Sequence, residues 1–316
     1  MCHPNGINMK GNNPLVSVII PNYNHARYLE KRMESVFNQT YQNFEVIFLD
    51  DCSDDNSLEI IEQYKDNSHL CKVVVNEINS GSTFKQWDKG IGLANGELIW
   101  IAESDDYCEL TLLEELVRAL GKKKNCVLAY APTLMMDDEG KTSSVPYEGR
   151  NQYMSGMRYI KRYLTLFNWV KNASCAVFNK KVAMNVSKDY LSYKGAGDML
   201  FWVEIARQGD VAIVNKPLAY FCRHGGTVTS QKEMDGTNPF EVKRILDYID
   251  SFVPIRGWRK HLVFAYHRQW HNHFYISDDI YQKVAQEWQF EKYDTWFDNW
   301  LLTQARRLRK YYNYFI

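Results

Sequence analysis

The strongest constraint on this chain is a set of short apolar runs, each stopping at turn residues or acids and giving way to a helical period. Val16-Ser17-Val18-Ile19-Ile20 is closed by Pro21, and Val46-Ile47-Phe48-Leu49 by Asp50-Asp51. Lys72-Val73-Val74-Val75 is a third run, and Leu98-Ile99-Trp100-Ile101-Ala102 leads into Glu103-Ser104-Asp105-Asp106. Between them, Leu29, Met33, Val36 and Phe37 recur at three- and four-residue spacing, Leu58, Ile61 and Tyr64 make a second inward stripe, and Phe84 to Leu93 reads as a third helix. Ser53 and Asp54 are expected N-caps, and Thr111-x-x-Glu114 is an expected capping box before Leu112, Leu113, Leu116, Val117 and Leu120. Strands alternating with helices of this length imply an α/β fold: a mostly parallel central sheet with right-handed crossovers, flanked by helices.

In such a sheet the carboxyl ends of the strands face the ligand crevice. Two acidic pairs at equivalent places in successive strand–helix units therefore suggest one shared polar site, because adjacent carboxylates beside a core repel and lose hydration unless something compensates them. The competing reading is that each pair begins a loop and caps the next helix.

Further along, Cys126 to Ala131 and the stretch around Leu134 to Val145 read as strands, with Asp137-Asp138-Glu139-Gly140 as a hairpin turn. From Pro239 the pattern is helical and aromatic, with a stripe at Val242, Ile245, Leu246 and Ile249. The expected organisation is a flexible segment over 1–13, a main domain over 14–235 and a helical C-terminal extension over 236–316. The main domain divides into two halves, about 14–110 and about 111–235.

Composition narrows the partners. Lys and Arg total 38, as do Asp and Glu, so no overall positive field attracts nucleic acid. The seven cysteines are scattered without a Cys-x-x-Cys pair, which fits a reduced cytoplasmic setting. The first 13 residues lack the apolar core of a signal peptide, and no apolar run reaches the ~20 residues of a membrane span, so any membrane contact is expected to be peripheral. One segment suits such contact: Trp296, Trp300, Leu301 and Leu302 precede Arg306, Arg307, Arg309 and Lys310, then Tyr311, Tyr312, Tyr314 and Phe315. The plainer reading is a helix packed on its own domain.

Glu103-Ser104-Asp105-Asp106 offers the oxygen ligands of a hard divalent cation, with Asp106 the expected ligand and Asp105 facing a sugar or ribose hydroxyl. The alternative is an acidic helix entry. Neither a Gly-x-Gly-x-x-Gly nor a Walker A loop follows the first strand; Pro21-Asn22-Tyr23-Asn24-His25 stands there, and Tyr23 could stack on a base or cap the core.

Taken together, Val18 to Asn24, Gln39-Thr40-Tyr41, Phe44-Glu45-Val46, Asp50-Asp51-Cys52-Ser53-Asp54-Asp55, Gly96-Glu97-Leu98-Ile99 and Ser104-Asp105-Asp106 resemble the family 2 glycosyltransferases of the GT-A fold. The resemblance covers roughly residues 14 to 230. It implies inverting transfer from a nucleotide-activated sugar, a UDP-sugar, to a hydroxyl of a glycan or lipid-linked acceptor, as in cell-surface polysaccharide synthesis. Pro21 and Tyr23 match positions lining the base, and Asp51 matches the aspartate on the uracil ring, with Asp50 beside it. Asp106 matches the last aspartate of the metal motif, which engages Mn2+ or Mg2+ on the diphosphate, and Asp105 its neighbour; Glu103 stands where aspartate is commoner. Gly197-Asp198-Met199-Leu200-Phe201-Trp202 matches the segment of the catalytic base, which makes Asp198 the expected base, whereas its residues alone favour a helix cap. Arg223-His224-Gly225-Gly226 resembles a segment that closes over the diphosphate, so His224 is a candidate metal or phosphate contact or simply part of a glycine turn. Asn79 to Trp87 resembles a segment beside the donor, where Lys85 pairs with phosphate or faces solvent. His261, His267, His271 and His273 are read as packing and surface residues. A nucleotidyltransferase making activated sugars and a non-catalytic nucleotide-sugar-binding protein are the alternatives; the first should carry a Gly-rich basic loop after strand one, and the second should lose Asp106 or Asp198.

Overall fold

The computed structural model describes residues 13–136, 150–222, 232, 235–272 and 277–312, with side chains as far as Ala305 in the last stretch. The strands are β1 (Val16–Asn22), β2 (Phe44–Asp50), β3 (Leu70–Val75), β4 (Leu98–Ile101), β5 (Tyr107–Cys108), β6 (Cys126–Tyr130), β7 (Thr133–Met136), β8 (Gln152–Ser155), β9 (Ala176–Asn179), β10 (Asp210–Ile213) and β11 (Ala219–Cys222). The α-helices are α1 (Ala26–Phe37), α2 (Ser57–Glu62), α3 (Thr83–Leu93), α4 (Leu112–Gly121), α5 (Gly156–Tyr159), α6 (Lys180–Ala183), α7 (Gly197–Ala206), α8 (Thr237–Phe252), α9 (Trp258–His271), α10 (Asp278–Trp288) and α11 (Trp296–Tyr312). The expected hairpin at Asp137 to Gly140 lies outside the described residues.

The chain divides into two compact units: Met1–Gly156, Val170–Leu191 and Glu204–Arg223 form the first, and Met157–Trp169, Ser192–Val203 and His224–Ile316 the second. In the first, an eight-stranded sheet has the order β3-β2-β1-β4-β9-β6-β10-β8, and a small sheet has the order β5-β11-β7. The four strands β3, β2, β1 and β4 run parallel, as alternating strands and helices require. β9 then enters antiparallel between β4 and β6, and β8 closes the far edge antiparallel to β10. Helix stripes and strand side chains merge into one core in which Val18, Ile20, Leu29, Met33, Val46, Phe48, Trp100 and Leu116 are fully buried.

Position in the sheet explains why the third apolar run differs from the others. β1, β2 and β4 are covered on both faces, so nearly every residue is apolar. β3 is the edge strand, and Val73 and Val75 are 47% and 48% exposed.

The two expected caps are not formed. Ser53 Oγ donates to Asp50, and the N-cap of α2 is Asn56, beside Asp55, whose Oδ1 takes the Ser57 N–H. Thr111 is the N-cap of α4 but makes no side-chain cap bond, and Glu114 instead accepts from Thr40 Oγ1 at 2.7 Å. Ser53 is taken by a carboxylate of its own loop, and Glu114 by a hydroxyl distant in sequence.

In the second unit, Ile245, Leu246 and Ile249 are buried along α8 as the stripe predicts. His267 and His271 lie against the Trp288 ring, with centroids 4.7 and 5.4 Å away. Burial lowers the His267 pKa to about 4 and that of His271 to about 3, so both rings are neutral packing groups. His261 pairs with Asp298 Oδ1 at 2.9 Å, and His273 lies outside the described residues.

At the amino end of the parallel strands a buried carboxylate ties three elements together. Glu45 on β2 accepts from Ser17 Oγ on β1 at 2.6 Å and from the Asn95 N–H and Nδ2 at 2.7 and 2.9 Å, while Ser17 Oγ accepts the Gly96 N–H. Burial raises the Glu45 pKa, but the Ser17 and Asn95 bonds with the Lys72 charge outweigh it and hold it below 4.5. A depressed folded value means that this stability is present above the unfolded pKa and lost as pH falls through the folded one. Glu45→Gln should cost about 1–3 kcal/mol at neutral pH, the scale of hydrogen bonds to a charged group. Urea unfolding of both proteins should show that gap shrinking as pH falls through the folded value of Glu45; a gap independent of pH would contradict the role.

Candidate active site

The strand order fixes where a site can form. β1 continues to β2 and β3 on one side and has β4 on the other, so the direction of winding reverses between β1 and β4 and opens a crevice at the strands' carboxyl ends. Register brings Asn22 opposite Asp50 and Ile19 opposite Ile101, so the segments after β1, β2 and β4 emerge side by side. The turns are tight: Asn24 and Cys52 adopt left-handed φ of 55° and 65°, a conformation costing a non-glycine residue roughly 1–2 kcal/mol. Pro21 is buried in β1 and Tyr23 is 46% exposed beyond it.

Asp50 and Asp51 do different work. Asp50, fully buried, accepts from Asn22 Nδ2 at 2.9 Å, Ser53 Oγ at 2.7 Å and the Ser53 N–H at 2.8 Å. Its bonds are spent on shaping the β2 loop and tying it to β1. Asp51 reaches the opposite way: Oδ1 accepts from Asn76 Nδ2, the Ser80 N–H and Gln86 Nε2 at 2.6, 2.9 and 2.8 Å, and Oδ2 from Ser80 Oγ at 2.7 Å. It therefore organises the 76–86 segment and keeps spare acceptor capacity on Oδ2. Asn22 Oδ1, Ser82 Oγ and Gln86 Oε1 are buried close to these groups in sequence and find no partner among the described residues. Lys85 is exposed, and its Nζ donates to the Ser80 carbonyl at 3.1 Å.

After β4 the acids surround one buried cation. Arg32, on the core face of α1 and fully buried, donates through Nε to the Glu103 carbonyl at 2.8 Å and through Nη2 to Ser174 Oγ at 3.0 Å. Ser174 Oγ also accepts the Glu103 N–H, and Trp87 Nε1 donates to Glu103 Oε1 at 2.7 Å. His25 Nδ1 meets Ser104 Oγ at 2.7 Å. Asp106, 2% exposed, accepts from Asn172 Nδ2 at 2.6 Å on Oδ2, while its buried Oδ1 makes no hydrogen bond of good geometry among the described residues and the Ser174 hydroxyl is the other group acting on the carboxylate. Burial, then the Asp105 charge, raise the Glu103 pKa to about 8 against the Trp87 hydrogen bond. The same two causes push Asp106 well above the usual carboxylate range, although Arg32, Ser174 and Asn172 oppose them. The one guanidinium thus faces Glu103 and Asp106, and its charge does not return either carboxyl to the usual range.

This donor set fits a hard divalent cation. Among the described residues no three His, Cys, Asp or Glu converge on one ion position, so an ion here would have one or two carboxylates and would need phosphate or water for its remaining places. Asp106 Oδ1 is the group such an ion would use.

Asp198 lies in the second unit, in the first turn of α7. The segment before it is anchored by Glu241 of α8, 4% exposed, whose oxygens accept the N–H groups of Lys194, Gly195 and Ala196, each at 2.8 Å. A carboxylate from a different helix therefore takes the N–H groups that lead into α7. Asp198 Oδ1 accepts the Met199 N–H at 2.8 Å, and Oδ2 accepts from Asn168 Nδ2 at 2.7 Å. Its surface is partly open, yet the surrounding protein solvates a charge poorly, and this burial, helped by the Glu241 charge, raises its pKa from 3.8 to about 7. His224 lies outside the described residues.

Seven residues of this arrangement were not singled out from sequence: Asn22, Arg32, Gln86, Trp87, Asn172, Ser174 and Glu241. Two left a readable trace. Arg32 stands next to Met33 on the inward stripe of α1, and Glu241 lies four residues before Ile245 on that of α8. A charge on a core-facing stripe announces a buried partner.

The model of glycosyl transferase family 2 matches residues 17–186, more than half of the 316-residue chain. The glycosyltransferase GlyG of Streptococcus pneumoniae is 38% identical over 109 residues, covering 34% of this chain and 36% of that protein. The poly(ribitol-phosphate) beta-N-acetylglucosaminyltransferase TarS of Staphylococcus aureus is 34% identical over 114 residues, covering 35% of this chain and 20% of its own length. The chain thus spans about a third or less of these relatives. Among solved structures, residues 1–349 of S. aureus TarS in complex with UDP-GlcNAc superpose with a TM-score of 0.65 at 19% identity, covering 87% of this chain and 80% of that one. The mannosyltransferase PcManGT of Pyrobaculum calidifontis, in complex with GDP-Man and Mn2+, gives 0.58 at 14% identity, covering 96% and 83%. At these identities the structural likeness carries the fold, the family model carries the membership, and the chain belongs to glycosyl transferase family 2 with the α/β architecture of the GT-A fold.

Proposed function

We propose that this chain transfers a sugar, with inversion, from a nucleoside-diphosphate sugar to a hydroxyl of a glycan or lipid-linked acceptor in cell-surface polysaccharide synthesis. The observation that carries the reading is the buried Asp106 oxygen, without a hydrogen bond of good geometry, in an acidic cluster at the β1–β4 crevice. The names of the relatives supply the substrate class: TarS acts on poly(ribitol-phosphate), and its solved complex holds UDP-GlcNAc. A UDP-sugar is accordingly the proposed donor.

In the mechanism, Tyr23 offers its exposed ring to the base, and Asp51 accepts from the base through the capacity left on Oδ2. Asp106, with Asp105 beside it, would hold a divalent cation such as Mn2+ or Mg2+, which neutralises charge on the diphosphate leaving group when bound. Asp198 accepts the acceptor hydroxyl's proton as that oxygen attacks the anomeric carbon, and one displacement gives inversion. Glu241 positions the segment that carries Asp198. The direct test is a nucleotide-sugar panel with and without Mn2+, following release of nucleoside diphosphate; no release from any donor would overturn the reading.

Three outcomes follow for single variants. Asp106→Asn should lower transfer on the order of 10²-fold or more, the scale of losing one electrostatic contact to developing charge; turnover equal to wild type would remove Asp106 from the site. Asp51→Ala should raise the donor KM while leaving kcat at saturating donor within a few-fold of wild type, since the base contact is made equally in ground and transition states. An unchanged KM would contradict that contact.

Asp198→Asn should keep donor affinity and lose ~10²–10⁴-fold in transfer rate, the usual worth of a general base. In the wild type the base works only when deprotonated, so with a pKa near 7 kcat/KM should rise with pH through neutrality and be lost as pH falls below it. For stability the sign is opposite to that of Glu45: a raised carboxyl pKa favours folding below the unfolded value and loses that contribution as pH rises to the folded one. The variant should therefore unfold no more easily than wild type at alkaline pH. A transfer rate within a few-fold of wild type would remove Asp198 from the chemistry.

A further inference from the structure

Helix α11 has two unlike faces. Asp298, Leu301, Leu302 and Ala305 are buried, at 0%, 9%, 6% and 7% exposure, so one side packs within the second unit. Opposite them, Trp296 is 78% exposed and Trp300 44%, with Phe297 at 38% on the flank. Their rings gather, Trp296–Trp300 at 6.5 Å and Phe297–Trp300 at 6.1 Å between centroids, into a single apolar patch. Burying such a patch in water-free surroundings is favourable, and tryptophan pairs isolated from a core mark a contact surface.

The helical period decides what continues this stripe. At the helical period, positions 303, 307, 310 and 311 follow 296 and 300 on the same side of α11, and the sequence has Arg at 307 and Lys at 310. An exposed aromatic patch followed in the sequence by Arg306, Arg307, Arg309 and Lys310 matches the boundary between acyl chains and anionic headgroups. Among the described residues no helix is long and apolar enough to cross a membrane, so the match is to a helix lying in the surface.

We infer that α11 is an interfacial anchor that seats the second unit on an anionic lipid surface, with Trp296, Phe297 and Trp300 entering the headgroup layer and Arg307 and Lys310 meeting its charge. This surface is independent of the transfer chemistry, and it would hold the enzyme where lipid-linked saccharides are found. Of the two readings of this segment, the packed helix accounts for the Leu301 side and the membrane contact for the Trp296 side.

The test is flotation of the full chain with vesicles of phosphatidylcholine alone or with about one third phosphatidylglycerol, at low and high salt. Wild type should float with the anionic vesicles and be released by salt. Trp296→Ala with Trp300→Ala should abolish flotation without lowering the melting temperature, because both side chains project from the surface. Arg307→Ala with Lys310→Ala should weaken binding by roughly 30-fold, about fivefold for each cation near an anionic surface. Equal recovery on both vesicle types, or unchanged flotation of either double variant, would overturn the anchor. So would a lipid-free oligomer that the tryptophan variant converts to monomer, since the face would then be covered by a second copy.

Discussion

The site rests on one buried cation. Arg32 has no access to water, and its guanidinium is held by the Glu103 carbonyl and the Ser174 hydroxyl. An unpaired charge there would cost several kcal/mol, so the acids after β4 are what make Arg32 tolerable. The dependence runs both ways. Without Arg32, Glu103, Asp105 and Asp106 would crowd negative charge at the end of a fully buried strand. With it, burial and the Asp105 charge still raise the Glu103 and Asp106 pKa values, and one carboxylate oxygen is left without a hydrogen bond of good geometry. Helix α1, strand β4 and the Asn172–Ser174 segment are thereby fixed to a common point, and that point still attracts positive charge.

The same economy divides neighbouring carboxylates between structure and chemistry. Asp50 spends its lone pairs on Asn22 and Ser53, whereas Asp51 gathers the 76–86 segment and retains an acceptor. Glu103 is tied to Trp87, whereas Asp106 keeps Oδ1 open. In the second unit, Glu241 takes the backbone donors ahead of α7, so Asp198 is not needed as their cap. In each case neighbouring acids answer to different partners, and only those partners tell them apart.

Much of this was legible in the sequence, for physical reasons. Strands buried on both faces must be apolar throughout, so β1, β2 and β4 announced themselves, and acids following them had to lie at the crevice end of a parallel sheet. What escaped depended on partners distant in the chain. Ser53 reads as a helix cap until the register of β1 on β2 brings Asn22 Nδ2 to its hydroxyl, which itself turns back to Asp50. Thr111-x-x-Glu114 reads as a capping box until Thr40 takes the glutamate. The antiparallel entry of β9 beside β4 carries no local signal, yet it is what delivers Asn172 and Ser174 to the acids. Lys72 to Val75 looked as buried as its fellows because apolar content does not say which strand ends the sheet.

The central claim is that the charge deficit around Asp106 binds a divalent cation together with the donor's diphosphate. Calorimetric titration of UDP into the full chain, with Mn2+ and then with excess chelator, tests it most directly. The account requires affinity in Mn2+ to exceed that in chelator by at least about tenfold, or roughly 1.4 kcal/mol. Equal affinity under the two conditions would contradict it, and the acids after β4 would then be scaffold alone.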